Sequence, residues 1–374
     1  MTKGFKSKLM MLNLNTLDYE NNAKTVLSQT TWDYYSSGSW DEVTLQDNLD
    51  AFQRFKLRPR MLVDVSHRNL QTTILGQPIE FPVLIAPTGF QCLAHPDGEL
   101  ATAKAANQAG TMMILSTLST KSIEEVSEIR TALNPNVGQI FQLYVHRDRE
   151  LTRSLVERTY AAGFCAICLT VDTPVLGKRE RDSRNQFTLP PELELANFRG
   201  AKLALDSEVG QSESGLFTYV QQQISPAITW TDIDWLASIS PLPIVVKGIL
   251  RGDDAVKAIE RGVRAIVVSN HGGRQLDGAI STMDALEGVV TAVDGRAEVF
   301  VDGGIRRGLD VLKALSLGAK AVTIGRPVLW GLSVAGAAGV AHILEILKDE
   351  LDLAMALSGC TCLADIARDL CAKI

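Results

Sequence analysis

Eight short, almost unbroken apolar runs punctuate the chain, and each gives way to a glycine, proline or polar turn and then to a segment with helical spacing. They are PVLIAP (82–87), TMMILS (111–116), QIFQLYV (139–145), CAICLTVD (165–172), PIVVKG (243–248), AIVVSN (265–270), EVFVDGG (298–304) and AVTIG (321–325). Strands this continuously apolar suit a parallel sheet covered on both faces. Eight of them alternating with helices is the count of a (β/α)8 barrel, with a doubly wound open sheet as the alternative. Helical segments such as DGELATAKAANQAG, KSIEEVSEIRTAL, RELTRSLVERTYAAG and DDAVKAIERG fit between the runs, several ending in the glycine common at a helix C-terminus. Strand starts are spaced about 20–35 residues apart, ordinary for one βα unit, except for a gap of about 80 after the fourth. The surplus, residues 175–230, opens with GKRERDSRNQF and has no strong periodicity; leaving the C-terminal end of a strand, it reads as a lid over the active face. Residues 1–75, with LDYENNAKTVL, TTWDYYSSG and TLQDNLDAFQRF, read as an N-terminal cap of helices. Residues 331–374 read as C-terminal helices, LEILKDELDLAMALSG and a final short one, and the whole chain as a single domain with its barrel over 76–330.

A hydrophobic content of 46% with 21% charged residues describes a globular protein able to bury a large core. The net charge of -6 lacks the basic excess that nucleic-acid binding requires, so any phosphate partner should be small and held locally. Six cysteines, Cys92, Cys165, Cys168, Cys360, Cys362 and Cys371, include a C-x-x-C at 165–168 that could suggest metal or redox chemistry. That pair lies inside the apolar run GFCAICLTVD, where cysteine behaves as a small core hydrophobe, and no second cysteine or histidine pair supports a metal. The leader MTKGFKSKLMMLNLN has too short an apolar stretch, broken by asparagine, for a signal peptide. No segment approaches the roughly 20 apolar residues of a membrane span, and a cytoplasmic protein without membrane partners is expected.

In barrels of this type chemistry gathers where strands end. The eight runs leave there Thr88 and Gly89; Ser116 and Leu118; Gln142 and Tyr144; Thr170 and Asp172; Lys247; Ser269, His271 and Arg274; Asp302 and Arg306; and Gly325 with Arg326. Each has a structural reading by itself: Asp172 as a helix N-cap, Tyr144 as a rim residue, Lys247 as a snorkelling lysine. Together they would cost free energy unless used or paired. VDGGIRRG and TIGRP close the last two units with glycines beside arginines. Gly303, Gly304 and Gly325 would let backbone N–H groups approach a phosphate while Arg306 and Arg326 supply charge, although each turn alone could merely cap its strand. SNHGGRQLDG (269–278) sets His271 among glycines and, taken alone, leaves open whether it is a base or a turn residue.

With these residues in view, the chain resembles the FMN-dependent (S)-2-hydroxy acid oxidase and dehydrogenase family, which includes glycolate oxidase and lactate oxidase. The resemblance runs from about residue 16 to 370 through DYYSSG, RPRMLVDVS, LIAPTG, AHPDGE, FQLYV, LTVDTPVLGKRERD, VKGI, SNHGGRQLDG, VDGGIRRG, IGRP and MALSG. It implies that His271 is the active-site base and Asp172 its partner, a pairing that suits a side chain titrating near neutrality. It further implies that Arg179 and Arg274 hold the substrate carboxylate with help from Tyr34, and that Tyr144 bonds the substrate hydroxyl or nascent carbonyl. Lys247 is expected beside the flavin, where its charge favours the reduced form. Thr88, Ser116, Gln142, Thr170 and Ser269 are expected on the isoalloxazine and ribityl groups, and Asp302, Gly304, Arg306, Gly325 and Arg326 on the ribityl chain and phosphate. The implied reaction takes a small 2-hydroxy acid to a 2-oxo acid with O2 as acceptor and H2O2 as product, in a homotetramer or homo-octamer. Two residues depart from the glycolate oxidases: Leu118 where they have tryptophan, and Gly89, expected close to the flavin and bearing on its reaction with O2, where oxidases usually have alanine. The first leaves room beside the α-substituent, so L-lactate should be accepted at least comparably to glycolate. A dehydrogenase passing electrons to a quinone or haem, and an FMN- or phosphate-binding isomerase, are the alternatives; the isomerase leaves His271, Arg274, Arg179 and Asp172 without work.

Overall fold

Single-residue alternation decides which way each apolar run faces. A computed structural model describes residues 13–199 and 214–374; most of the leader and the middle of the 175–230 insertion lie outside the described residues. The eight runs form strands β1 (Val83–Ile85), β2 (Met113–Leu115), β3 (Gln139–Leu143), β4 (Ala166–Thr170), β5 (Ile244–Ile249), β6 (Ala265–Val268), β7 (Glu298–Val301) and β8 (Ala321–Ile324). All are parallel, in sequence order, and β8 pairs with β1 to close the barrel, Thr323 opposite Leu84. The open-sheet alternative is thereby excluded.

Alternate residues of every strand fall into two separate cores. Val83, Ile85, Met113, Phe141, Ile167, Val246, Ile266 and Val322 pack outward against the helices. Leu84, Ile114, Ile140, Ala166, Cys168, Val245, Val267, Phe300 and Ala321 pack inside the barrel. Cys168 is thus a filler of the barrel interior, and among the described residues no group of ligating side chains could hold a metal.

The helices expected between strands occur at Gly98–Gln108, Ile123–Leu133, Arg149–Ala161 and Gly252–Glu260. The N-terminal segment is helical at Thr16–Val26, Gln29–Ser36 and Val43–Asp50, but not throughout. The final short helix expected at the C-terminus takes the form of two 3-10 turns, Leu363–Asp365 and Arg368–Leu370, and the chain then ends in a strand, Cys371–Lys373, paired antiparallel with Phe55–Leu57. Phe55 is buried, and this pairing with the C-terminus satisfies the backbone around it, which a short terminal helix would not do. Thr72–Ile74 and Gln77–Ile79 form a hairpin whose two-residue turn, Leu75–Gly76, has positive φ at both positions. It carries Ile74 and Ile79 into the floor of the barrel.

Candidate active site

At the C-terminal ends of the strands the inward column turns polar. Two residues beyond Ile114, Ile140, Cys168, Val245, Val267, Phe300 and Ala321 stand Ser116, Gln142, Thr170, Lys247, Ser269, Asp302 and Thr323, all buried. Above them opens a cleft of about 1160 Å³, its mouth included, lined by nearly all the residues picked from the strand ends. Asp172 and Ser269 are not in its wall but stand behind residues that are.

His271 Nδ1 lies 2.8 Å from an Asp172 carboxylate oxygen, which also accepts from the Thr173 hydroxyl at 3.0 Å. Asp172 is therefore no helix cap. Burial works against its charge, but His271 and Lys247 outweigh it and bring the carboxyl down to about 2. Burial also drives His271 below its usual 6.5; Asp172 opposes that shift without cancelling it. A neutral imidazole with one nitrogen tied to a carboxylate presents its other nitrogen as a proton acceptor. The ring is aimed by backbone as well: φ is 58° at His271, 63° at Gly272 and 74° at Gly273, a left-handed run that only glycines adopt cheaply.

Lys247, 4% exposed, does not snorkel. It donates to Ser269 Oγ at 3.0 Å, and Ser269 in turn donates to Asp302 at 2.9 Å and accepts from the His271 backbone N–H at 3.1 Å. Although burial opposes its charge, Asp302 and Asp172 hold the ammonium well above its ordinary value, so the barrel top carries a fixed cation. Tyr144 is raised to about 12, by burial first and then by Asp172, and remains a phenol.

Arg179 and Arg274 reach the cleft from two touching loops, after β4 and β6, and Arg179 Nε donates to Arg274 O at 3.4 Å. Burial first, and then Arg274, pull the Arg179 guanidinium down to about 10, while the buried Asp182 carboxylate, 4.0 Å away, opposes the shift. Arg274 sits 5.1 Å above the Tyr34 ring, which stacks at 4.3 Å on Phe187 from the insertion. Leu176, Leu216, Val220 and Ile224 of the insertion complete an apolar wall. The two departures from the glycolate oxidases prove to be neighbours: a Cβ at Gly89 would lie 3.2 Å from Leu118 O and 3.3 Å from Leu118 Cβ.

At the far end, Gly303, Gly304, Arg306, Gly325 and Arg326 line the cleft where the helix Arg326–Ala335 begins. Arg306 and Arg326 are both lowered, by burial first, with Glu20, 3.9 Å from Arg306, and Asp310 opposing the shift at Arg306. A helix start, glycines and two crowded guanidinium groups fit a phosphate. In the same cleft, Gln142 Nε2, Thr170 Oγ1, Asp302 Oδ1 and Thr323 Oγ1 are buried with no hydrogen-bond partner among the described residues. These are donors and acceptors suited to the ring edge and hydroxylated chain of FMN.

Sequence reading missed Thr323, Thr173 and Gln275. Thr323 could have been found from parity, standing two residues beyond the inward Ala321. Thr173 could have been found from adjacency to Asp172. Gln275 gave no signal, yet it donates to the backbone carbonyls of Asp172 and Val175 at 2.8 and 2.9 Å and so fixes the loop carrying Asp172.

Residues 23–373 match the family profile described as FMN-dependent dehydrogenase. The chain is 63% identical over 353 residues to an L-lactate oxidase of Nostoc sp., covering 94% of this chain and 96% of that protein. It is 52% identical to 2-hydroxyacid oxidase 1 of Mus musculus, covering 92% of each. Among solved structures, a mandelate oxidase with (S)-4-hydroxymandelic acid superposes with a TM-score of 0.90 at 41% identity, covering 95% of this chain and 98% of that one.

Proposed function

The chain belongs to the FMN-dependent dehydrogenase family and is a 2-hydroxy acid oxidase; on that premise we propose that L-lactate is accepted at least as well as glycolate, with O2 reduced to H2O2. The observation that carries the reading is the 2.8 Å contact of His271 with Asp172, in a cleft shared with Arg179 and Arg274. The isomerase alternative has no support left.

When bound, FMN supplies the two-electron acceptor and passes the electrons on to O2. The chain's own residues do the rest. Arg179 and Arg274 clamp the substrate carboxylate as paired forks, and Tyr34 adds a hydroxyl from the cap. That fixes the α-carbon's hydroxyl between Tyr144 and the free nitrogen of His271. Neutral His271 takes up a proton there, and Asp172, ionised throughout the working range, stabilises the imidazolium that results. Lys247, held charged by Asp302 and Asp172, would offset negative charge on the cofactor, while Ser116, Gln142, Thr170, Asp302 and Thr323 would position it and Ser269, behind them, would hold Lys247 in place. Thr88, Gly304, Arg306, Gly325 and Arg326 would hold its chain and phosphate.

Leu118 is shorter than tryptophan and leaves space for the lactate methyl, and Gly89 relieves the crowding that a Cβ would create against Leu118. We also propose that residues 1–374 act as one catalytic domain, with the 175–230 insertion as a lid, and that the protein is a cytoplasmic homotetramer or homo-octamer. All six cysteines are unpaired, as a reducing compartment favours, and among the described residues no helix is long and apolar enough to cross a membrane.

The test is steady-state oxidation of glycolate, L-lactate and longer 2-hydroxy acids with peroxide detection. A glycolate preference in kcat/KM well above about ten-fold sinks the substrate assignment. Flavin bleaching by L-lactate with very slow reoxidation in air favours a dehydrogenase instead. Light scattering of the eluted protein checks the oligomer.

A further inference from the structure

We infer that Arg326, besides facing the cofactor phosphate, is a positioning residue for the substrate-carboxylate site, coupling the two ends of the cleft through the Ser37 carbonyl. The inference rests on the functional reading above.

Arg326 opens the helix that follows β8, at the phosphate end. Its guanidinium is nevertheless largely spent on backbone elsewhere. Nε donates to Tyr35 O at 2.9 Å, one terminal nitrogen to Ser37 O at 2.9 Å and the other to Gly272 O at 3.0 Å. Tyr35 and Ser37 bracket the end of the helix that carries Tyr34. Gly272 directly follows His271. One planar fork thus grips both the cap segment and the catalytic loop. Ser37 O accepts a second cationic donor, Arg274, at 2.8 Å. The arginine proposed for the substrate carboxylate and the arginine at the phosphate end therefore share a single carbonyl oxygen.

The local sequence is consistent with such a clamp. A Cβ at Gly272 would lie 2.9 Å from an Arg326 terminal nitrogen, so a side chain there would displace the guanidinium. The neighbouring segment is tied in the same direction, with the Ser39 backbone N–H donating to Gly273 O at 2.9 Å. A lysine at 326 keeps a positive charge for the phosphate, but its single ammonium cannot reproduce three in-plane bonds to carbonyls on two loops. Loss of the clamp frees Ser37 and with it the register of Arg274 and Tyr34. A plain phosphate ligand has no such effect once the cofactor is saturating.

The experiment uses the FMN-loaded enzyme and Arg326→Lys, with FMN affinity measured first by fluorescence quenching so that later steps run at saturation. Oxalate, a non-reacting dicarboxylate, is then titrated by its perturbation of the flavin spectrum. Oxalate should bind R326K about ten-fold more weakly, with the KM for L-lactate rising by more than kcat falls. In a double-mutant cycle with Arg274→Lys, the double variant should bind oxalate within about two-fold of R274K alone, because both act through Ser37. Oxalate affinity unchanged in saturated R326K, or additive losses in the cycle, overturns the inference and leaves Arg326 a phosphate ligand only. Arg326→Gln, which keeps amide donors, serves if R326K does not accumulate. Failure of the parent enzyme to bleach with L-lactate would sink the functional reading instead, and oxalate binding does not depend on turnover.

Discussion

The barrel interior has two storeys built from the same strands, and they are opposites. In the lower one, Leu84, Ile114, Ile140, Val245, Val267 and Phe300 fill the space over the Ile74–Ile79 hairpin. In the upper one, two residues or about 6–7 Å along each strand, Gln142, Thr170, Asp302 and Thr323 keep buried polar atoms without partners among the described residues. The lower storey satisfies itself and contributes stability by burial. The upper storey is incomplete without a ligand, since each orphaned group costs roughly 1–3 kcal/mol where it stands. On the proposed reading, binding of FMN offsets that cost, which makes the site the part of the fold whose stability depends on occupancy.

The contrast breaks if upper-storey substitutions behave like core substitutions. The largest effect should come from His271→Gln, which keeps a polar side chain but removes the base. Peroxide assays with L-lactate should show kcat/KM falling on the order of 10³-fold, with the melting temperature of the loaded enzyme almost unchanged. A loss under ten-fold would return His271 to the status of a turn residue. Phe300→Ala should do the reverse: a denaturant titration should read about 3–5 kcal/mol of lost stability, while kcat per folded molecule stays within about three-fold. A large kcat defect at full folding would mean that the lower storey is part of the chemical site.

Asp172→Asn tests the electrostatics of the upper storey. His271 must be neutral to accept a proton, and burial sets it below 6.5, so kcat/KM should rise with pH through a limb lying below 6.5. Asp172 favours the protonated ring. Its removal should lower the proton affinity further, move that limb to more acid pH, and reduce kcat about 10²-fold through loss of support for the imidazolium. A limb moving to higher pH would show that Asp172 does not govern His271.

All eight strands were legible because parallel strands covered on both faces are written as unbroken apolar runs. The strand-end residues were legible too, since His271, Lys247 and Asp302 interrupt those runs where burial makes charge costly. Phe55–Leu57 and Cys371–Lys373 were not: each is three residues long, and their pairing spans almost the whole chain. Local periodicity cannot report a contact of that separation. Gln275 was hidden for a related reason, because its work is done on carbonyls of another loop.

Thr323 was hidden differently, since a threonine in AVTIG reads as an ordinary β-branched strand residue, and it therefore gives the finest test of the two-storey contrast. Its neighbour two residues earlier, Ala321, belongs to the lower core, while its own side chain lines the cleft and its hydroxyl has no partner among the described residues. Thr323→Val keeps the shape and removes only the hydroxyl. The protein stripped of FMN should become slightly more stable, by about 1 kcal/mol, because an unpaired buried group is gone. FMN titrated into the same variant should bind about five-fold more weakly, because the hydroxyl's partner in the complex is lost. Opposite signs in the two measurements place Thr323 in the upper storey; a variant less stable without FMN and unchanged in FMN affinity would place it with the core below.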